Sequence, residues 1–411
     1  MSFLTWGDMI GELDSLMRKR GIAALLCYGD STLGNPELAY LTRCELPRGG
    51  VYLKKRGDEP LLVVSALDVG SAKKGIVKNV KTYNDYDYPK LVKRHGRRKA
   101  FVELLARIVR ESRVRGRVAL HGRNEASSII NVFNGLRRKR IAVVGEERPT
   151  ILDIARRTKD DWEVGAIKRA GEKTLNVVRR LEELLRSMEI REGVATYGGE
   201  VVRIGWVKRL IRVWCAEEGL SLPEDHILAA GPSSADPHEK GLEHEPIREG
   251  EPIVFDIFPQ DSTGYWFDFT RTYAVGRPSR ELITMFEDVL AAHSEAMDTL
   301  REGAPCMEPM QATCKLFKSR GRLTILDLYQ GNREAETRGF IHSLGHGVGL
   351  TIGEEPYLTL NERQKLEKNM ITTVEPGLYY PEIGGVRLED VVLISGTKPT
   401  ILAQHRYGLE P

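Results

Sequence analysis

Apolar positions recur at helical spacing at Ile10, Leu13, Leu16 and Met17, and the run GIAALLCYG (Gly21–Gly29) that follows reads as a buried strand. Further strands are predicted at Gly50–Lys55, Pro60–Ser65 and Arg117–Gly122, with a basic helix around Ala100–Arg113 among them. Alternation of this kind predicts an α/β domain. Around Thr150 the character changes. Capping-type residues Thr158 and Asp160 introduce a long amphipathic helical stretch, after which helices alternate with short, strongly patterned strands. The expected division is an N-terminal α/β domain over residues 1–152 and an α+β domain over 153–411, with the boundary inside 150–156.

Within the second domain, two period-2 stretches each carry a pair of carboxylates in otherwise apolar strands. In Glu251–Gly276, strands are predicted at Ile253–Phe258 and Tyr265–Val275 with a turn over Pro259–Gly264, which sets Asp256 roughly opposite Asp268. Alternation puts Asp268, Thr270 and Thr272 on one face and Phe267, Phe269 and Arg271 on the other. In Met370–Ile394, Glu375 ends one strand, Gly384 and Gly385 form the turn, and Glu389 sits in the next strand. Arg387 shares its face and Asp390 points away. An unpaired carboxylate among apolar neighbours costs several kcal/mol, which a metal ion would offset.

Composition changes this picture little. Among 411 residues, 41% are hydrophobic and 29% charged, as in a folded globular protein, and a formal charge of +3 is too mild to imply a nucleic-acid partner. The basic run from Lys90 to Arg117 lacks aromatic punctuation and reads as a solvated helix face plus loop. Cys27, Cys44, Cys215, Cys306 and Cys314 form an odd set without C-x-x-C pairing, as expected of reduced thiols. The N-terminal segment carries Asp8, Glu12 and Asp14 where a signal peptide would be basic and then apolar, and no stretch is apolar for long enough to span a membrane. A cytoplasmic protein without membrane or nucleic-acid partners is the expectation.

Between the two carboxylate-bearing stretches lies FIHSLGHGVGL (Phe340–Leu350). His342 and His346 are four apart, but Gly345, Gly347 and Gly349 argue against a helix and for an extended segment passing close to a site. Four carboxylates and an imidazole suit a divalent pair such as Mn, Co, Zn or Fe(II). Two such ions about 3.5 Å apart support metal-assisted hydrolysis.

These stretches (Asp256 and Asp268 followed by T-R-T, then S-L-G-H-G-V-G-L, V-E-P-G and V-R-L-E-D) resemble the M24 metallopeptidases, which include Xaa-Pro aminopeptidase, prolidase and, more distantly, methionine aminopeptidase. The resemblance covers about residues 155–411 and implies a pita-bread catalytic domain. The first 150 residues look like the creatinase/prolidase N-terminal domain. By this resemblance Asp256 binds one metal, His346 and Glu375 the other, and Asp268 and Glu389 bridge the two, the ions being Mn, Co or Zn. Glu375 would also carry the proton of the attacking water, Arg387 would support the ligands, and Thr270 would orient Asp268. His342 and His238 match the family's substrate-binding histidines, whereas His226 and His244 receive no role. A homodimer acting on peptides, cleaving between an N-terminal residue and proline, is what the family implies.

Two departures stand out. The Asp256–Asp268 separation is one residue longer than the commonest family pattern, and Gly353 occupies the place of a usual substrate-contacting histidine. Two alternative expectations follow: a pita-bread module that binds peptides without cleaving them, or an M24 hydrolase of other specificity, such as a methionine aminopeptidase.

Overall fold

The computed structural model describes residues 6–411, with side chains from residue 9 onward. The opening residues of the N-terminal segment, on which the signal-peptide reading partly rests, lie outside the described residues. The chain divides into two compact units, the first ending at Arg156 and the second running from Arg157 to Pro411.

In the first unit, six strands form one mixed sheet: β1 (Ile22–Gly29), β2 (Gly50–Lys55), β3 (Leu61–Val64), β4 (Asn79–Thr82), β5 (Arg117–His121) and β6 (Val143–Val144), in spatial order β4-β3-β2-β1-β5-β6. β1 is buried at nearly every residue and runs antiparallel to β2 and parallel to β5, so its unbroken apolar run has a physical reason. The helices are α1 (Trp6–Lys19), α2 (Pro36–Thr42), α3 (Val69–Ala72), α4 (Tyr88–His95), α5 (Arg97–Glu111), α6 (Ala126–Arg138) and α7 (Ile151–Ala155). Leu104, Leu105 and Ile108 of α5 pack with Val132 and Leu136 of α6 against Leu26, Val51 and Val118 of the sheet.

The second unit opens with α8 (Asp161–Arg186), whose N-terminus is closed by a reciprocal capping box between Asp160 and Glu163. A small sheet of β7 (Glu189–Arg191), β8 (Val194–Tyr197) and β9 (Glu200–Val201) precedes α9 (Ile204–Glu217). Then β10 (Ile227–Ala230), β11 (Ile253–Ile257) and β12 (Phe269–Tyr273) form an antiparallel sheet. Helices α10 (Arg280–Thr299), α11 (Met307–Ser319) and α12 (Ile325–Tyr329) lead to a five-stranded sheet of β13 (Gly345–Val348), β14 (Ile352–Leu358), β15 (Ile371–Val374), β18 (Asp390–Ile394) and β19 (Pro399–Ile401). A two-stranded ribbon, β16 (Gly377–Tyr380) with β17 (Gly384–Arg387), lies in the chain between β15 and β18. Leu282, Met285 and Val289 of α10 share one apolar core with Leu344, Leu378, Val386 and Val392, so the helices back the strands that carry the polar cluster.

Three strand expectations need correction. The register pairs Asp256 with Thr270, and Asp268 falls one residue before β12, displaced from Asp256 by two positions. Because strand alternation has period two, Asp268 and Thr270 still share a face. Residues 265–268 are not a continuous strand as expected: the Phe267 N–H still donates across the hairpin to Pro259 at 3.0 Å, but that of Trp266 turns to the Gly349 carbonyl at 2.8 Å. The second stretch is not one hairpin. Gly384 and Gly385 lie in β17, residues 381–383 make the turn, and Glu389 sits between β17 and β18 in an isolated bridge to Thr270. Gly385 is required there because a Cβ would come within 2.1 Å of the Ser234 carbonyl oxygen.

Candidate metal centre

Asp256 stands in a strand whose other residues, Ile253, Val254, Phe255 and Ile257, are all buried. Asp268 and Glu389 are likewise buried, 5% and 1% exposed. Glu389 is held by Thr270 twice, through its N–H to the Thr270 carbonyl at 3.0 Å and through the Thr270 hydroxyl, which donates to Oε2 at 2.6 Å. On β13, Gly345 lets the strand approach β15, where a Cβ would sit 2.1 Å from the Thr373 carbonyl oxygen. That approach brings His346 beside Glu375. The Thr373 hydroxyl accepts from the His346 N–H and donates to Glu375 Oε1, both at 3.1 Å, which ties the two segments together.

His346 Nε2 lies 3.6 Å from Asp268 Oδ2 and 3.5 Å from Glu375 Oε1. Potential ligand atoms of Asp268, His346 and Glu389 all lie within 4.8 Å of one another. Asp256 joins the cluster through its charge, which raises the pKa of Asp268, Glu375 and Glu389. Burial is the first cause of those shifts. Asp268 and Glu389 are pushed well above the usual carboxylate range by burial and then by neighbouring carboxylates, Glu389 foremost for Asp268 and Glu375 for Glu389, and Glu375 rises to about 8 although Arg387 opposes it.

Three carboxylate oxygens (Asp256 Oδ1, Asp268 Oδ1 and Glu389 Oε1) are buried with no hydrogen-bond partner. Orphaned acceptors of this kind are strongly unfavourable unless a cation completes them. Four carboxylates around one guanidinium also leave an excess of negative charge that divalent cations would neutralise. The donor set, all oxygen plus one imidazole, fits hard to borderline divalent ions.

Arg387 is the cation within the cluster. Its Nη2 donates to Asp256 Oδ2 at 2.5 Å, its Nη1 to the Tyr379 hydroxyl at 2.7 Å, and its backbone N–H to Thr272 Oγ1 at 2.9 Å. Tyr379 in turn contacts His342 Nε2 at 3.0 Å, while His342 Nδ1 lies 2.7 Å from the Ser343 carbonyl. A carbonyl can only accept, so Nδ1 carries the proton and Nε2 accepts from the tyrosine hydroxyl. Burial, then the nearby Arg387, depresses His342 to about 3, so this imidazole is neutral. His238 is exposed in the loop after β10, its N–H bonded to Asp236 at 2.9 Å, and its charge reaches His342. The neighbouring Pro237 carbonyl accepts from Arg387 Nη1 at 3.4 Å.

Sequence reasoning missed Thr373 and Tyr379. Thr373 lies on β15, two residues before Glu375, and Tyr379 on β16, beyond the break at Pro376, and neither residue type marks a site until its partners are in place. Gly353, second residue of β14, has φ +73°, and a Cβ there would meet nothing within 4 Å. The Tyr357 hydroxyl donates to its carbonyl at 2.6 Å. His226 is fully buried in T-shaped contact with Phe255, and His244 offers only its carbonyl, to Arg203.

Residues 165–396 match the model of metallopeptidase family M24. The chain is 29% identical over 245 residues to a probable dipeptidase PepE of Mycobacterium tuberculosis, covering 60% of this chain and 58% of that protein. It is 37% identical over 171 residues to a Xaa-Pro dipeptidase of Pyrococcus furiosus, covering 42% and 44%. The matches thus span about half the length of these curated relatives. The solved structure of a Xaa-Pro dipeptidase from Bacillus anthracis shares the fold over 98% of this chain and 99% of its own, with a TM-score of 0.78 at 23% identity. With more than half of its length matched to the family model, the protein belongs to metallopeptidase family M24.

Proposed function

We propose that the protein is a dinuclear, metal-dependent exopeptidase that hydrolyses the bond between an N-terminal residue and proline. The observation that carries this reading is the set of orphaned carboxylate oxygens on Asp256, Asp268 and Glu389 beside His346 and Glu375. Those five residues would hold two divalent ions (Mn, Co or Zn), which supply Lewis-acid polarisation of the scissile carbonyl and a water of lowered pKa. Asp256 would serve one ion, His346 and Glu375 the other, with Asp268 and Glu389 between them. Glu375, whose proton affinity is already raised to about 8, suits the proton carrier between water and leaving amine. Arg387 and Thr270 fix the orientation of Asp256 and Glu389. The neutral His342, held by Tyr379, and the exposed His238 border the cluster where substrate would lie.

The relatives named as Xaa-Pro dipeptidases support proline specificity. The relative named simply as a dipeptidase supports a second reading, a dipeptidase that tolerates residues other than proline. A cytoplasmic homodimer is part of the proposal, by family resemblance. The test is mass-spectrometric product analysis on Xaa-Pro dipeptides, longer Xaa-Pro peptides and matched Xaa-Ala peptides, with Mn, Co or Zn added. Metal-dependent release of the residue before proline is expected. Comparable cleavage of the alanine series, or cleavage of that series alone, would select the second reading, and no cleavage by folded, metal-loaded protein would refute both.

A further inference from the structure

The mild overall charge conceals a division. Residues 1–156 contain 30 Lys and Arg against 17 Asp and Glu, a formal charge of +13, whereas residues 157–411 contain 31 against 41, a formal charge of −10. A general enrichment in arginine would have loaded both units alike.

Within the first unit the excess gathers where α4 meets α5. Lys93, Arg94, His95, Arg97, Arg98 and Lys99 surround Gly96 in an unbroken exposed run without an acidic residue. The ion pairs around this corner engage Lys90 and Arg107 with Asp87 and Lys139 with Glu103. Among the described residues, none joins Lys93, Arg94, Arg97, Arg98 or Lys99 to a carboxylate. Moreover, Arg97, Arg98 and Lys99 occupy the first turn of α5, which has no acidic residue and no side-chain cap. Cations there oppose the helix dipole and are a poor arrangement for the helix alone. They are a good one for a bound anion.

Further along α5, beyond Glu103, which is paired with Lys139, come Arg107, engaged by Tyr86 and Asp87, and the exposed Arg110. The Arg110 guanidinium donates at 3.0 Å to the Lys139 carbonyl, which brings in the exposed Arg137, Arg138 and Arg140 at the end of α6. Fifteen residues of helix extend about 22 Å, roughly six base-pair steps of a duplex. We propose that this α4–α5–α6 face is a docking surface for the phosphate backbone of double-stranded nucleic acid, bound without sequence preference.

The lack of exposed aromatic residues in the run weighs against stacking of single-stranded bases, but it does not bear on backbone contacts to a duplex. A membrane fits less well. Among the described residues, the exposed large apolar side chains of this unit are Leu33, Leu67 and Ile130, and none lies between residues 83 and 117 to enter a bilayer. Arginine-rich, flatly polar and long, the face matches a ladder of phosphates.

The test uses the full chain and a fluorescein-labelled duplex DNA of mixed sequence, with anisotropy read across a salt titration. One variant reverses four charges (Lys93→Glu, Arg94→Glu, Arg97→Glu, Arg98→Glu), and a control reverses Arg363, Lys365 and Lys368, which are exposed on the second unit. The expected result is duplex binding by the parent chain that weakens steeply with salt. The four-fold variant should bind at least tenfold more weakly, its log–log salt slope smaller by about three to four. The control should match the parent. Thermal melting checks folding, and if the reversal unfolds the chain, glutamine at the same four positions is expected to give the same direction of change. No duplex binding by the parent at low salt, equal loss in the control, or binding only to single strands or to phosphatidylserine vesicles would overturn the proposal.

Discussion

Thr270 and Glu389 grip each other at two points, backbone to backbone at 3.0 Å and hydroxyl to carboxylate at 2.6 Å, and leave only the other carboxylate oxygen of Glu389 unsatisfied. The carboxylate is thereby aimed before any ion arrives. Replacing Thr270 by valine keeps the shape and removes the hydroxyl. Metal affinity measured by chelator competition is expected to fall about 10- to 100-fold, while thermal melting of the loaded protein shows an intact fold.

Metal-free protein should be sensitive to alkali. Glu375 is raised from 4.5 to about 8 by burial and by Asp256, and Asp268 and Glu389 are raised too. A carboxyl whose folded pKa is raised contributes stability that is fully present below its unfolded pKa, near 4.5, and lost as pH rises toward the folded value. The melting temperature of chelated protein is therefore expected to fall between pH about 5 and 8, and added Mn to restore it. A melting temperature that is flat or rises over that interval without metal would contradict the electrostatic reading of the cluster.

The hydrogen-bonded series Arg387–Tyr379–His342 predicts a separation of binding from turnover. Tyr379→Phe keeps the ring against His342 but removes the link between imidazole and guanidinium. Bound metal should be unchanged by elemental analysis, and kcat should fall by roughly 10- to 100-fold.

In the first unit, His121 is clamped between Glu146, 2.9 Å from Nε2, and Glu37, 3.6 Å from Nδ1. Burial alone would lower its pKa, but the hydrogen bonds and charges of the two glutamates outweigh it and lift the imidazole from 6.5 to about 9. Arg20 also reaches Glu146 at 2.9 Å, and the Gly122 N–H donates to Glu37 at 2.5 Å. A raised histidine contributes stability that is full below pH 6.5 and lost as pH rises through about 9. His121→Gln is expected to cost on the order of 3 kcal/mol near neutral pH by urea denaturation, and to flatten the decline between pH 6.5 and 9.

The residues offered as ligands could be read from the sequence because each sits in a short local frame: a glycine-rich segment for His346, a Pro-Gly break after Glu375, apolar alternation around Asp256. Their register could not. The chain between β11 and β12 is shaped by Trp266 reaching the Gly349 carbonyl, a partner more than eighty residues away. Gly385 looked like a turn because its need for space comes from the Ser234 carbonyl, 151 residues earlier, rather than from its own neighbours. Thr373 and Tyr379 went unnoticed since a threonine and a tyrosine in an apolar strand carry no signal until their partners are in place.

The most direct test is metal stoichiometry by elemental analysis, on the intact protein and on Asp268→Asn, with Xaa-Pro hydrolysis measured in the same samples. Two divalent ions per chain with activity that depends on them, both lost or sharply reduced in Asp268→Asn, is the expected result. A folded protein that takes up no stoichiometric metal, or one whose metal content and activity survive Asp268→Asn, would contradict a dinuclear centre built on these carboxylates.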